Sequence, residues 1–322
     1  MATLLNLKAL TASAKASHLK LLESRFNEAR PKKALAKHAK YPTYIDDLFK
    51  YLGDNLTTIL TGTPEQLTDV IQAVSTQFAN FHSQAQLTRS SKAWRSNPKD
   101  AAAVLLVEKC FDYDTFSKKS ESWGAYQLVQ EVGLRICPYC QLHHVNYHMP
   151  TGKKTFALRP PLDHFLPKSN YPYLAVSLGN LVPCCGQCNS GVKLALDPLV
   201  KGIRHPRSAL PNGRIKFSAM GSIPAKVGGT VADVQLTLVA PDVEAKAHID
   251  EFKLEQRYGW YTREIFDLIE NYNRFKEYPQ AVQEAVWAAE LVLGFSPDAA
   301  SDRALGLCLL DVFRELESGK VV

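Results

Sequence analysis

Cys137-Pro138-Tyr139-Cys140 and, separated from it by 44 residues, Cys185-Gly186-Gln187-Cys188 decide how this sequence is read. Each quartet spaces two thiols by two residues, which brings both sulfurs within reach of one tetrahedral ion. Two matched pairs complete the four-thiolate set that structural Zn²⁺ takes. A single pair is weak evidence, whereas two with the same gap are specific. Cys184 competes with Cys185, but only Cys185 stands two residues short of Cys188, so Cys184, like Cys110 and Cys308, reads as a small buried hydrophobe. Seven cysteines is an odd total, and with this spacing it argues for metal rather than disulfides and for a reducing, cytoplasmic setting. Zinc here is expected to staple a segment too small to hold itself together.

Outward from these pairs the apolar pattern changes twice. After Cys140, Val145, Tyr147 and Met149 alternate with polar residues, Pro150-Thr151-Gly152 marks a turn, and Phe156 and Leu158 resume the alternation, which predicts a β-hairpin. A loop over 166–179 follows, then a short helix from near Cys185 to Leu196. Arg214 to Ala219 and Ala232 to Ala240 alternate like strands, and from His248 helical spacing continues through Ile265, Leu268, Ile269 and Tyr272 to Leu316, with Tyr258, Trp260 and Tyr261 expected in a core. Upstream, Leu4 to about Gln130 is helical, with breaks at Pro31, Pro42, Thr61 to Pro64 and Asn97-Pro98. The reading is an α+β chain in three parts: a helical N-terminal region (1–125), a central module (126–212), and a short β segment with C-terminal helices (213–322). The longest strictly apolar run, Ala101 to Val107, is too short to span a bilayer, and the N-terminus lacks a secretory pattern, so no membrane is expected as a partner.

Between the pairs stand Leu162-Asp163-His164-Phe165-Leu166-Pro167 and Asn180-Leu181-Val182-Pro183, and the second pair runs into Asn189 and on to Lys193. In this order the segment Cys137 to Lys193, less than a fifth of the chain, resembles the zinc-bearing branch of the HNH (ββα-metal) endonuclease family. The signature of that branch is roughly C-x-x-C, D-H-x-x-P, N-L, C-x-x-C-N-x-x-x-K. The resemblance implies a ββα-metal module stapled by the four cysteines, with His164 as general base, Asp163 and Asn189 as ligands of a catalytic Mg²⁺ or Mn²⁺ ion, and Asn180 clamping the loop that orients the histidine. It implies hydrolysis of DNA to products ending in 5′-phosphate and 3′-hydroxyl. The wording Asp-His-Phe-Leu-Pro-Lys with a following Tyr-Pro also looks like HNH subunits of bacterial anti-phage defence operons, such as the Septu kind, which implies an ATPase partner.

These roles make chemical sense without the likeness. An imidazole of ordinary pKa near ~6.5 accepts a proton from water at neutral pH. A hard divalent cation prefers carboxylate and amide oxygens and leaves positions open for phosphate. On an α-helix Cys185 and Cys188 lie about one turn apart and face one ion, while Asn189 is rotated about 100° away, with Lys193 four residues on and sharing its face as a candidate phosphate contact.

The formal net charge of +6 divides unevenly. Residues 1–125 hold 17 Lys+Arg against 12 Asp+Glu, 126–216 hold 11 against 3, and 217–322 hold 10 against 17. The central excess is a candidate polyanion surface, with Lys153 and Lys154 at the hairpin tip, Lys168, Arg204 and Arg207 as backbone contacts and Tyr171 and Tyr173 as stacking or packing residues. Arg30, Lys32, Lys33, Lys37 and Lys40, and Arg89, Lys92, Arg95 and Lys99, read as solvated helix faces. His143, His144 and His148 read as surface residues. Two other functions fit the same residues: a non-catalytic zinc module that binds nucleic acid, and a ribonuclease toxin with RNA as its polymer.

Overall fold

The computed structural model describes residues 7–31, 41–87, 98–118, 122–152, 155–219, 230–231 and 234–318. Lys32, Lys33, Lys37, Lys40, Arg89, Lys92, Arg95, Lys153 and Lys154 lie outside the described residues. The N-terminal region is helical with its breaks at the predicted prolines: α1 (Ala12–Ala29), α2 (Pro42–Asp54), α3 (Leu56–Thr61), α4 (Pro64–Gln77), α5 (Phe81–Gln86), α6 (Pro98–Cys110), α7 (Tyr113–Ser117) and α8 (Ala125–Val132). Pro42 and Pro64 open their helices where a missing N–H has no intrahelical partner to lose. Thr63 and Gln66 close a reciprocal capping box on α4. α2 then buries Ile45, Leu48, Phe49 and Leu52, and α4 buries Leu67, Val70, Ile71 and Val74 in one shared core.

The central segment differs from its predicted order. The expected hairpin over 145–158 is reduced to one bridge, His148 with Leu158, and a second bridge joins Ile136 to His144. Phe156 is 73% exposed and Leu158 43%, so past Met149 the alternation has no apolar partner to drive a longer ladder. The strands lie instead on the two motifs: β1 (Leu162–His164) pairs antiparallel with β2 (Leu181–Pro183), with Asp163 opposite Val182 and His164 opposite Leu181. β2 runs into a π-helical segment, Gln187–Lys193, where a regular α-helix was expected.

Downstream come α9 (Pro198–Lys201), the predicted antiparallel pair β3 (Lys216–Ser218) and β4 (Thr237–Val239), α10 (Val243–Glu251), α11 (Leu254–Tyr258), α12 (Thr262–Phe275), α13 (Gln280–Gln283), α14 (Ala288–Leu293) and α15 (Gly306–Ser318). Tyr258 is buried as expected, but Trp260 is 87% exposed. Core residues from all three regions form one continuous cluster. The uneven charge also finds a use. Acids of the C-terminal region pair with central cations, as Arg204 with Asp242 and Glu244, Lys201 with Glu251, and Arg214 with Asp311. Part of the central basic excess is therefore spent inside the fold.

The loop between β1 and β2 is pinned by the N-terminal helices. Leu178 N–H donates to Leu60 O at 2.9 Å, and His82 Nε2 bonds the Tyr173 hydroxyl at 2.9 Å. A Cβ on Gly179 would lie 2.3 Å from Gly62 O, so only glycine lets the loop press against the turn between α3 and α4. His18 on α1 donates through Nε2 to Val176 O at 2.7 Å and accepts at Nδ1 from Trp123 Nε1 at 2.9 Å. Both ring nitrogens are used in the neutral form, and burial lowers its pKa to about 4. Such a depressed pKa stabilises the fold above the unfolded value of about 6.5, and the contribution is lost as pH falls towards the folded value. A shift of this size is worth on the order of 3 kcal/mol. Denaturant midpoints are expected to fall between pH 7 and pH 4.5 by less in His18→Gln, which keeps a donor to Val176 but does not titrate, than in the wild type. Equal falls in both proteins would contradict the assignment.

Candidate functional site

The four cysteine sulfurs at positions 137, 140, 185 and 188 lie within 4.8 Å of one another, and all four residues are buried. Cys140 Sγ and Cys185 Sγ are 3.9 Å apart, close to the ~3.8 Å edge of a tetrahedron with 2.3 Å Zn–S bonds. The donor set therefore fits a metal such as zinc. Backbone N–H groups of Leu142 and Cys188 donate to Cys140 Sγ and Cys185 Sγ at 3.5 and 3.4 Å. Arg257 Nη1 approaches Cys188 Sγ at 3.4 Å, placing a positive charge against a cluster that carries excess negative charge once four thiolates surround a dication. The first pair is held from the C-terminal region: His248 Nε2–H donates to Tyr139 O at 2.7 Å, Tyr258 hydroxyl donates to Cys140 O at 2.9 Å, and Leu305 N–H donates to Gln141 O at 3.0 Å. Cys184 is buried outside the cluster, with burial pushing its thiol up, as are Cys110 and Cys308.

His164 ends β1, and its ring is half-buried. Nε2 lies 2.9 Å from Ala175 O, a carbonyl that can only accept, so Nε2 carries the proton and the lone pair sits on Nδ1. Burial lowers the pKa to about 4, with the Lys168 and Lys193 charges adding to the shift and the Ala175 bond opposing it. The imidazole is neutral at pH 7 with a fixed tautomer. Its ring meets Tyr113 of α7 edge-on at 4.5 Å.

Asn180 is fully buried and ties the loop closed. Its Oδ1 accepts from Leu166 N–H at 2.6 Å, and its Nδ2 donates to Leu166 O and Leu174 O, each at 3.0 Å. Leu174 adjoins Ala175, the acceptor of His164, so the clamp reaches the histidine within one residue. Asn180→Ala leaves three buried backbone groups without their partner and is expected to cost about 3 kcal/mol or more, read as a lowered denaturant midpoint. A midpoint within error of the wild type would contradict the clamp.

Asp163 points the other way along the strand and is 2% exposed. Its Oδ2 accepts from the Tyr139 hydroxyl at 2.6 Å and its Oδ1 from Lys193 Nζ at 3.1 Å, and Lys193 also donates to His164 O at 2.8 Å. The sequence puts Lys193 on the same face as Asn189 as a candidate phosphate contact; the structure buries it against Asp163. The reason lies in the π-turn, where Leu194 N–H bonds Asn189 O five residues back. Each residue then turns by less than the α-helical 100°, and a four-residue step falls short of a full turn. Asn189 itself is half-buried, with Nδ2 on Ser190 Oγ at 3.1 Å. Both oxygens of Asp163 are engaged by Tyr139 and Lys193, and the Asn189 side chain by Ser190, so a divalent ion on Asp163 would share its carboxylate with the Lys193 ammonium.

Of the remaining candidates, Lys168 is exposed above Tyr113, while Arg204 and Arg207 are engaged by Asp242 and by Lys8 O. Tyr171 and Tyr173 are buried and pack the loop, with the Tyr171 hydroxyl on Asp197. His144 and His148 are exposed, and His143 bonds Gln187 Oε1 at 2.8 Å. Sequence reasoning missed Tyr113, Arg257, His248 and Tyr258. Their only sequence signal is aromatic or cationic character far from the motif.

No family model, curated protein or solved structure matches the chain. Among the described residues, no helix is long and apolar enough to cross a membrane.

Proposed function

We propose that this chain hydrolyses phosphodiester bonds, in DNA first, as a nuclease of the HNH type. The observation that carries the reading is His164: a neutral imidazole with its tautomer set by Ala175 O, on a short strand pair directly joined to a four-thiolate cluster. Nδ1 takes a proton from water, the hydroxide attacks phosphorus as the P–O3′ bond breaks, and the leaving 3′-oxygen takes a proton from solvent, giving 5′-phosphate and 3′-hydroxyl ends. Cys137, Cys140, Cys185 and Cys188 would hold a metal such as zinc, which would keep the strand pair and the π-turn together as a structural staple. No step is assigned to a second metal ion, since Asp163 is committed to Lys193 and Tyr139.

That commitment favours a second reading, a zinc module that binds nucleic acid without cutting it. The purified full-length chain, incubated with supercoiled plasmid, single-stranded DNA and RNA in Mg²⁺, in Mn²⁺ and in chelator, separates the two. Cleavage of DNA is expected. Degradation of RNA alone makes the chain a ribonuclease, and binding without cleavage under every condition selects the zinc module.

A further inference from the structure

Hydrolysis at His164 needs positive charge against the phosphate, because the pentacoordinate transition state spreads extra negative charge over its oxygens. Besides burial, the charges of Lys168 and Lys193 lower the His164 pKa. Lys193 has 1% of its side chain exposed and is bonded to Asp163 and His164 O, so it cannot reach a substrate. Lys168 has 51% of its side chain exposed, and its Nζ stands 5.2 Å above the ring of Tyr113, the same ring that meets His164.

Burial raises the Tyr113 phenol above its ordinary value, and the nearby Arg159 charge opposes that shift. That guanidinium is already oriented: Nη1 donates to Pro160 O at 3.1 Å, Nη2 to Ser117 O at 3.3 Å, and the group lies 5.7 Å over the Tyr126 ring. An arginine held in this way forms phosphate contacts with little further loss of side-chain freedom. Beside these groups a surface cavity of about 560 Å³ is lined by Tyr113, Lys168, Ser169 and Ala175, a volume in the range of small-ligand sites. Glu108, Asp112 and Asp114 line it as well. Their negative charge disfavours a second phosphate there and leaves the space to sugar and base.

We propose that Lys168, Arg159 and the Tyr113 hydroxyl form the site that holds a DNA phosphate next to His164, with the adjoining cavity taking one nucleotide. This deepens the reading of His164 as base and rests on it for the catalytic consequence. α7, outside the cysteine-bounded segment, then supplies part of the substrate site. Asp114, whose Oδ1 is 4.0 Å from Lys168 Nζ, competes with the phosphate for the ammonium.

The test measures binding of a short fluorescein-labelled DNA duplex, by anisotropy at several salt concentrations, in a His164→Ala background, and cleavage in the otherwise wild-type chain. Lys168→Ala is expected to weaken binding about 10-fold and to lower the salt slope by about one counterion, the mark of a lost phosphate contact. Arg159→Gln is expected to act in the same direction, Tyr113→Phe to raise KM while keeping the ring, and Asp114→Asn to tighten binding. Lys168 is exposed, so its variant folds even if Arg159→Gln does not. Binding, salt slope and cleavage of Lys168→Ala all within twofold of the parent would overturn the site. If the wild type cuts nothing but Lys168→Ala still loses the salt-dependent contact, the reading of His164 as base fails and the phosphate site stands.

Discussion

Cys188→Ser protein is expected to be purified with little or no bound metal and with its central segment unfolded. Three thiolates and a hydroxyl form a poor ligand set for zinc, and metal binding at a four-thiolate site contributes on the order of 10 kcal/mol to the folded state. That is as large as the whole stability of a typical domain. The loss is not confined to the cysteines. Without the ion, four sulfurs within 4.8 Å of one another have nothing to hold them, and the Arg257 charge at 3.4 Å from Cys188 Sγ loses its partner. His248 and Tyr258 bond the backbone of the first cysteine pair, so the damage is expected to spread into α10 and α11. Atomic absorption and far-ultraviolet circular dichroism on Cys137→Ser and Cys188→Ser check this. Full metal content with an unchanged spectrum in either variant would remove the cluster from the account.

His164→Ala is expected to lower the cleavage rate about 10³-fold while leaving metal content unchanged and the protein folded with a modestly lowered melting temperature, within the range that a positioned general base supplies. The ring makes one hydrogen bond and one edge contact, and it is half-buried, so its removal costs packing but not the framework. The pH dependence is a separate signature. Since the imidazole is neutral above about 4, the acidic limb of kcat/KM is expected near pH 4 and not near the ordinary 6.5. Activity rises as pH climbs through that value, because the base works only unprotonated. A limb at 6.5 that disappears in His164→Ala would keep the base and refute its burial.

The four-cysteine cluster was legible because two-residue cysteine gaps are a local pattern that survives any arrangement of the rest. Asp163, His164, Asn180 and Asn189 were legible as residues but not as geometry. Asp163 and His164 are neighbours in a strand and so face opposite sides, which period-two alternation predicts in general. What sequence did not reveal is that Lys193 meets Asp163, because that follows from a π-turn with no composition signal of its own. The strands on the two motifs are three residues long, too short for alternation to register, whereas the clearer alternation over 145–158 packs on the core only as far as Tyr147 and leaves Phe156 and Leu158 exposed. Arg257 and Tyr113 reach the site from elements 69 residues beyond Cys188 and some 50 before His164, distances over which only the folded core decides proximity. The charge asymmetry reads as a surface for polyanions, and Arg204, Lys201 and Arg214 use part of it to dock the acidic C-terminal region.

The most direct test compares initial rates of supercoiled-plasmid cleavage by metal-loaded wild type and His164→Ala at equal concentrations of folded protein. Cutting by the wild type, with 5′-phosphate ends, is expected, and a variant slower by about three orders of magnitude. Equal rates in the two proteins, or a folded wild type that binds the plasmid and leaves it intact, would contradict the role of His164 as base.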